Sequence, residues 1–356
     1  MTLIARYLIK QLSITTLYAM FALLALYSFF DIVAEVGGVG EGGYTGIKMM
    51  QYVLLQIPDH AYQMMPLAVL IGGLIALNRL AANSEMTVIK TSGMSTANII
   101  AILLGFGLIF AAATALLGES VAPTANRYAQ NLKTMAKNGK ISTGAQGLWI
   151  KEQNNIINVR EMLPDQSLRG IKVFRHDQNF KLAESWQAES AVIAADGSWK
   201  LANVRRSILD GDRVRTEKHD GEYWQAGIRG SLLDVLLVNP NQMSLTALTA
   251  YIKHLEDNKQ QADSYKIEWW RKLMYPVATV VMALVALAFT PQSTRHGNMG
   301  LKLFAGICLG LAFHFAGRLF GFTSQLYGVP AFAAAMLPTA AFAAWAVWLI
   351  RKQERR

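Results

Sequence analysis

Polar residues that interrupt long apolar runs are the first places to look for chemistry in this sequence. His314 and Arg318 stand one helical turn apart in such a run and therefore share a face. Ionisable groups inside a membrane-length run usually turn toward a bundle interior or a watery cavity, and a long arginine near the end of a run can equally snorkel to the interface. Asp59 and His60 follow Pro58 in another apolar stretch, where a polar cavity and an interface are both open readings. A third polar group runs from Asn83 to Gly93. Asn83 or Ser84 can cap a helix there, Glu85 suits its positive start and Gly93 can end it. Such a helix is either a surface connector or a docking element for a groove on a separate motor subunit. In the second case Ser84, Glu85, Met86 and Thr87 lead the contact and Glu85 meets a basic partner residue.

Catalytic patterns are missing. The sequence has no Gly-x-x-x-x-Gly-Lys-Ser/Thr phosphate loop, no His-Glu-x-x-His and no Gly-x-Ser-x-Gly. Its six histidines are scattered, and the one cysteine, Cys308, allows neither a disulfide framework nor a cysteine-based metal cluster. No catalytic residue and no metal ligand is assigned, and a non-enzyme is expected.

The elements that must hold these groups are membrane spans. Hydrophobic residues make up 53% of the 356 and charged residues 16%, with a mean hydropathy of +0.25. Soluble domains carry about 25% charged residues, so an ordinary cytosolic enzyme and a disordered chain are both excluded. Charge-free runs predict six spans, near 12–30, 53–77, 99–117, 273–290, 303–322 and 331–350. The Gly328-Val329-Pro330 turn must divide the last two. The N-terminal run follows basic residues as a signal peptide does, but it is long enough to span and lacks a small-x-small site near Phe30.

Basic residues orient the spans. Arg6, Lys10, Arg79, Lys90, Arg295, Lys302 and the basic C-terminus fall on one side, which places both termini in the cytoplasm. Arg271 and Lys272, at the outer edge of the fourth span, go against this rule.

Residues 118–272 then lie outside the membrane. They hold 22 of the 34 Lys and Arg and 18 of the 24 Asp and Glu. That balance describes a solvated surface and argues against a nucleic-acid partner. Alternating runs at Ile156–Val159, Ile171–Phe174, Trp199–Val204 and Leu232–Val238 predict strands. Asp196-Gly197, Asp210-Gly211 and Asp220-Gly221 suit tight turns between them. An antiparallel sandwich or jelly roll is expected. Flanking it, 119–137 continues the third span outward, and Ser244 can cap a helix with Leu245, Leu248, Ile252 and Leu255 on one face. The resulting division is 1–137 with three transmembrane helices and the short helix near 83–92, a β-jellyroll at 138–243, a connecting helix at 244–272, and three more transmembrane helices at 273–356.

Several stretches resemble one family. Pro66-Leu67-Ala68-Val69-Leu70-Ile71-Gly72-Gly73-Leu74, Ser84-Glu85-Met86 through Ser92-Gly93, and Gly118-Glu119-Ser120-Val121-Ala122-Pro123 occur in order. Gln146-Gly147-Leu148-Trp149-Ile150-Lys151, Tyr327-Gly328-Val329-Pro330 and Leu337-Pro338 follow. Together they resemble the LptF/LptG family of lipopolysaccharide-export permeases over nearly the whole chain, on its LptG side.

The resemblance implies a multi-pass subunit of an ABC-type extractor in a Gram-negative inner membrane, with a periplasmic β-jellyroll. It implies LptF as paired permease, a dimer of LptB ATPases on the coupling helices, and LptC and the LptA bridge as onward carriers of lipopolysaccharide. This chain would bind no cofactor itself, and ATP and Mg²⁺ would sit on the partner subunits. The first and fifth helices would line lateral gates for lipid. A membrane scaffold or signalling protein that recruits periplasmic partners without moving lipid shares the same topology.

Set against the family, Asp31, Arg127, Lys133, His314 and Arg318 are the candidates for lipid contact. Relatives often place a basic residue near Asp31 to meet lipid phosphates. An acid there needs a bridging cation or is simply solvated, and Glu35 ends the same helix on the outer side. Lys133 matches a basic family position, Gln130 replaces another, and Arg127 can compensate for it.

Overall fold

The computed structural model describes residues 3–137, 147–162, 167–177, 181–194, 198–210, 213–225, 240–290 and 299–354. Its helices before the sheet are α1 (Leu3–Val36), α2 (Gly46–Ala82), α3 (Glu85–Thr91), α4 (Thr96–Leu116) and α5 (Ala122–Ala136). A π turn, Leu117–Val121, joins α4 to α5 without a break. After the sheet come α6 (Leu245–Asp257), α7 (Asp263–Ala288), α8 (Met299–Tyr327) and α9 (Ala331–Glu354). Six helical stretches among the described residues are long and apolar enough to cross a membrane, as expected. They overrun the charge-free runs: α1 extends past 12–30 at both ends, and α7 starts at Asp263, well before 273. A charge-free run marks only what sits in hydrocarbon, and the polar turns beyond it stay helical because their side chains find partners.

α2 forms the centre of the bundle. Ala68, Val69, Leu70 and Leu74 are wholly buried, and Pro58 and Pro66 lie inside the helix without ending it. Glycine permits the closest approaches. A Cβ on Gly72 would lie 2.6 Å from the Thr16 nitrogen of α1, and one on Gly107 of α4 would lie 3.1 Å from Val280 Cα of α7. Helices in lipid gain little from hydrophobic exclusion, so close packing at small residues supplies much of their attraction. The divide between α8 and α9 falls where the turn was expected. Gly328 has φ of 67°, and Ser324 Oγ donates to the Val329 carbonyl at 2.6 Å.

The β domain is an antiparallel sheet of β1 (Leu148–Glu152), β2 (Asn155–Met162), β3 (Leu168–His176), β4 (Leu182–Ile193), β5 (Trp199–Asp210) and β6 (Arg213–Trp224). Among the described residues the six strands follow one another in chain order, each antiparallel to the next. The expected strand at Leu232–Val238 and the Asp196-Gly197 turn lie outside the described residues. Asp220-Gly221 is not a turn. It continues β6, with Gly221 opposite Ala202, because the ladder from Asp210 to Trp199 runs straight past it.

The burial pattern departs from strict alternation along one line. Along β2 to β5 the buried apolar positions step by two except once, where they step by three: Val159 to Met162, Leu168 to Ile171, Ala188 to Ala191, Leu201 to Val204. These steps are aligned by the pairing. Gly170 (φ 64°) and Asn203 (φ 52°) take left-handed backbone on this line, and Asn203 Nδ2 donates to Glu189 at 2.6 Å. Without such a line, half of each strand would turn its apolar residues outward. With it, Trp186, Trp199, Leu201 and Trp224 join one core.

At one end of that core Glu184 is buried against Arg206, with Arg175 at 3.1 Å. Both guanidinium groups lie over the Trp186 ring, at 4.7 and 4.9 Å. Burial alone would raise the Glu184 pKa, but the hydrogen bond and charge of Arg206, helped by Arg175, hold it below the usual carboxylate range. Gln153, in the turn between β1 and β2, donates its backbone N–H to Asn258 at the end of α6.

Candidate functional site

Three places hold the residues singled out by sequence. The first is where α1 ends beside α2 and α5. Asp31 accepts from His60 Nε2 at 2.6 Å, so the acid is neither bare nor simply solvated. One turn on, Glu35 meets Lys133 at 2.6 Å, and Glu41 meets Lys137 at 2.7 Å. Lys133 also lies 4.8 Å from the Tyr52 ring centre, and Lys137 5.4 Å from that of Tyr44. The apolar groups Ile32, Tyr52, Val53, Ala129 and Leu132 fill the seam beneath these pairs. Asp31 and Lys133 thus belong to one ionic border, in which each is already matched. Arg127 stands apart from it. It is exposed on α5 and makes no ion pair among the described residues.

The second place is a cavity of about 550 Å³ between α2, the start of α7 and the end of α8. His314 and Arg318 line it together, as their spacing requires, and Arg271 and Lys272 face them from α7. The two residues that break the orientation rule therefore share a cavity with the two that interrupt the fifth span. Arg271 bonds Glu268 at 2.9 Å. Lys272 is buried, donates to the Met243 carbonyl and lies 5.5 Å from the Tyr62 ring centre. Arg318 is exposed and, among the described residues, has no hydrogen bond or ion pair. Tyr275 floors the space, its hydroxyl donating to the Gln63 carbonyl at 2.6 Å. Asp59 is buried one turn below, accepting from Gln63 Nε2 at 2.9 Å, and is not among the lining residues.

The third place is α3, at the opposite end of α1. Ser84 precedes the helix as expected but does not cap it: its backbone is left-handed (φ 60°) and its side chain makes no cap bond. Glu85 is instead held by Tyr7 Oη at 2.8 Å and Asn83 Nδ2 at 3.2 Å. Met86 and Ile89 turn inward to the bundle core, while Ser84, Thr87 and Val88 are exposed. Gly93 (φ 92°) follows the helix, where left-handed backbone favours glycine. Beside α3 an apolar groove of about 380 Å³ is lined by Leu3, Ile4, Tyr7, Glu85, Val88 and Ile89.

One residue had no sequence signal of its own. Glu119, in the π turn, accepts from the backbone of Leu245 at 2.8 Å and Thr246 at 3.3 Å, so it caps α6 together with Ser244. Gly118 beside it packs on Tyr62, whose Cε2 would lie 2.5 Å from an added Cβ. Those contacts account for the Gly118-Glu119 pair physically.

A profile described as lipopolysaccharide export system permease LptF/LptG matches residues 6–352. The chain belongs to the LptF/LptG family. It is 28% identical, over 98% of both chains, to the lipopolysaccharide export system permease protein LptG of Escherichia coli strain K12. The same identity and coverage relate it to the LptG of Haemophilus influenzae. Its likeness to the LptF of Escherichia coli K12 is 26% over 157 residues, 43% of this chain and 42% of that protein. Within the LptF/LptG family the six apolar helices and the antiparallel sheet identify a multi-pass membrane permease.

Proposed function

We propose that this chain is the LptG-like permease of an ABC-type exporter that lifts lipopolysaccharide out of a Gram-negative inner membrane. The observation that carries the reading is the LptG match along 98% of both chains, which takes in the bundle, α3 and the sheet alike. In this reading LptF completes the permease pair, LptC and the LptA bridge receive the lipid, and an LptB dimer hydrolyses ATP with Mg²⁺. The permease itself hydrolyses nothing. Both termini face the cytoplasm and residues 118–272 face the periplasm.

The motor docks on α3. Ser84, Glu85, Thr87 and Val88 meet it across the apolar groove, and Met86 carries the push inward because it packs on the bundle core. Closure of the ATPases rocks α3 against α1 and α2 and narrows a lipid cavity enclosed between the two permeases. Arg127, His314 and Arg318 face lipid phosphates at the outer end, Lys133 braces α5 against Glu35, Asp31 is held by His60, and the apolar core of the sheet shelters acyl chains.

Glu85→Arg should reduce copurification of the ATPase and ATP-driven lipid release while leaving membrane insertion intact. Normal copurification and release in that variant would remove Glu85 from the docking role. Photocrosslinkers on α1 and α8 should capture labelled lipopolysaccharide, and a complex that captures none would be a scaffold instead of a transporter.

A further inference from the structure

Cations at the outer ends of the helices are not equivalent. Those beside α1 are spoken for, since Lys133 is held by Glu35 and Lys137 by Glu41. Among the described residues that line the cavity between α7 and α8, two arginines, a lysine and a histidine accompany a single carboxylate, Glu268. Arg318 has no partner among the described residues, although its neighbours Leu319 and Phe322 are exposed apolar residues of a spanning helix. An unmatched guanidinium at such a place is costly unless a ligand or water meets it. Arg271 and Lys272 add charge on the side where basic residues oppose the orientation set by all other loops. Positive charge kept against both costs points to a local use.

We infer that this cavity is a phosphate site, in which Arg318 and Arg271 clamp one phosphate monoester of the lipid headgroup. The inference rests on the transporter reading and adds the place and chemistry of headgroup capture. A guanidinium presents two parallel N–H donors to two phosphate oxygens, and two of them from facing helices can hold one dianion. Glu268 holds Arg271 by one nitrogen, Nη1, which steadies the fork while leaving other donors free. Lys272 is a positioning residue, because its ammonium already donates to Met243 and lies over Tyr62. The volume, about 550 Å³, suits a phosphorylated sugar and is too small for a whole multi-acyl lipid, so the chains remain outside along the exposed face of α8.

The test uses the full chain with its LptF partner in nanodiscs, with bisphosphorylated lipid A, fully dephosphorylated lipid A and inorganic phosphate as probes. Arg318→Gln and Arg271→Gln should each weaken binding of the phosphorylated lipid about ten-fold, the scale of one charge-assisted hydrogen bond. The dephosphorylated lipid should bind both variants as it binds the parent, and Arg318→Lys should restore part of the loss. Unchanged affinity for the phosphorylated lipid in both variants would overturn the site. Equal losses for the two lipids would overturn the phosphate chemistry in favour of packing. Arg318-dependent binding of inorganic phosphate without any for lipid would make it a free-anion site and overturn the headgroup assignment. ATP-driven release by the parent complex is scored separately, so failure of transport is distinguishable from failure of this site.

Discussion

Glu35 and Lys133 lie 98 positions apart in sequence and 2.6 Å apart in space, joining the last turn of α1 to α5. Both are largely shielded, so the pair is screened less than a surface bridge. A double-mutant cycle of Glu35→Gln and Lys133→Gln should give a coupling of about 1 kcal/mol in detergent unfolding. Glu35→Gln should also raise the mobility of a spin label at position 36. A label no more mobile in that variant would mean that apolar contacts alone hold the end of α1.

Two glycines facing neighbouring helices should respond differently to alanine. At Gly72 the new methyl meets the backbone of Thr16, which can yield only if α1 moves away from α2. Gly72→Ala should cost roughly 1–3 kcal/mol. At Gly306 it meets Leu74 Cδ1, the tip of a flexible side chain, and the cost should be smaller. Melting of both variants in the same detergent checks the order, and equal losses would show that the Thr16 contact is not rigid.

The β domain should lose part of its stability in acid through Glu184. Its pKa lies below the ordinary value, so its contribution is complete above the unfolded carboxylate's pKa of about 4.3 and fades as pH falls through the lower folded value. Glu184→Gln should therefore melt below the parent at neutral pH, with a gap that closes in acid. A gap independent of pH would assign the effect to lost shape instead of charge.

Much of this architecture was legible because membranes impose a long, charge-poor run that sequence cannot disguise. The six spans, the Ser244 cap and the strands around Ile157, Ile171 and Leu201 follow from local rules. So does the shared face of His314 and Arg318. What could not be read were relations between distant segments. Arg271 and Lys272 were visible as an anomaly, but nothing local said that His314 and Arg318 stood opposite. Asp31 looked solvated because His60, its partner, belongs to another helix. The Asp220-Gly221 pair misled because a turn dipeptide is also tolerated within a strand when the opposing ladder is long enough. Ser84 has the right residue type for a cap, yet the left-handed bend after α2 points its side chain away from the duty.

Leu117–Val121 has a consequence for the angular phase of everything beyond it. An α-helix advances about 100° per residue, and a π turn inserts one residue without lengthening the hydrogen-bonded path by a full turn. α4 is thereby set to face α7 through Gly107, while α5, on the same continuous rod, faces α2 and the end of α1. If the same residues were instead wound as regular α-helix, α5 would turn by up to about that angle and Lys133 would swing off Glu35. A single extra residue in the helix works as a phase shifter, tuning which partners the outer half of the third span can reach.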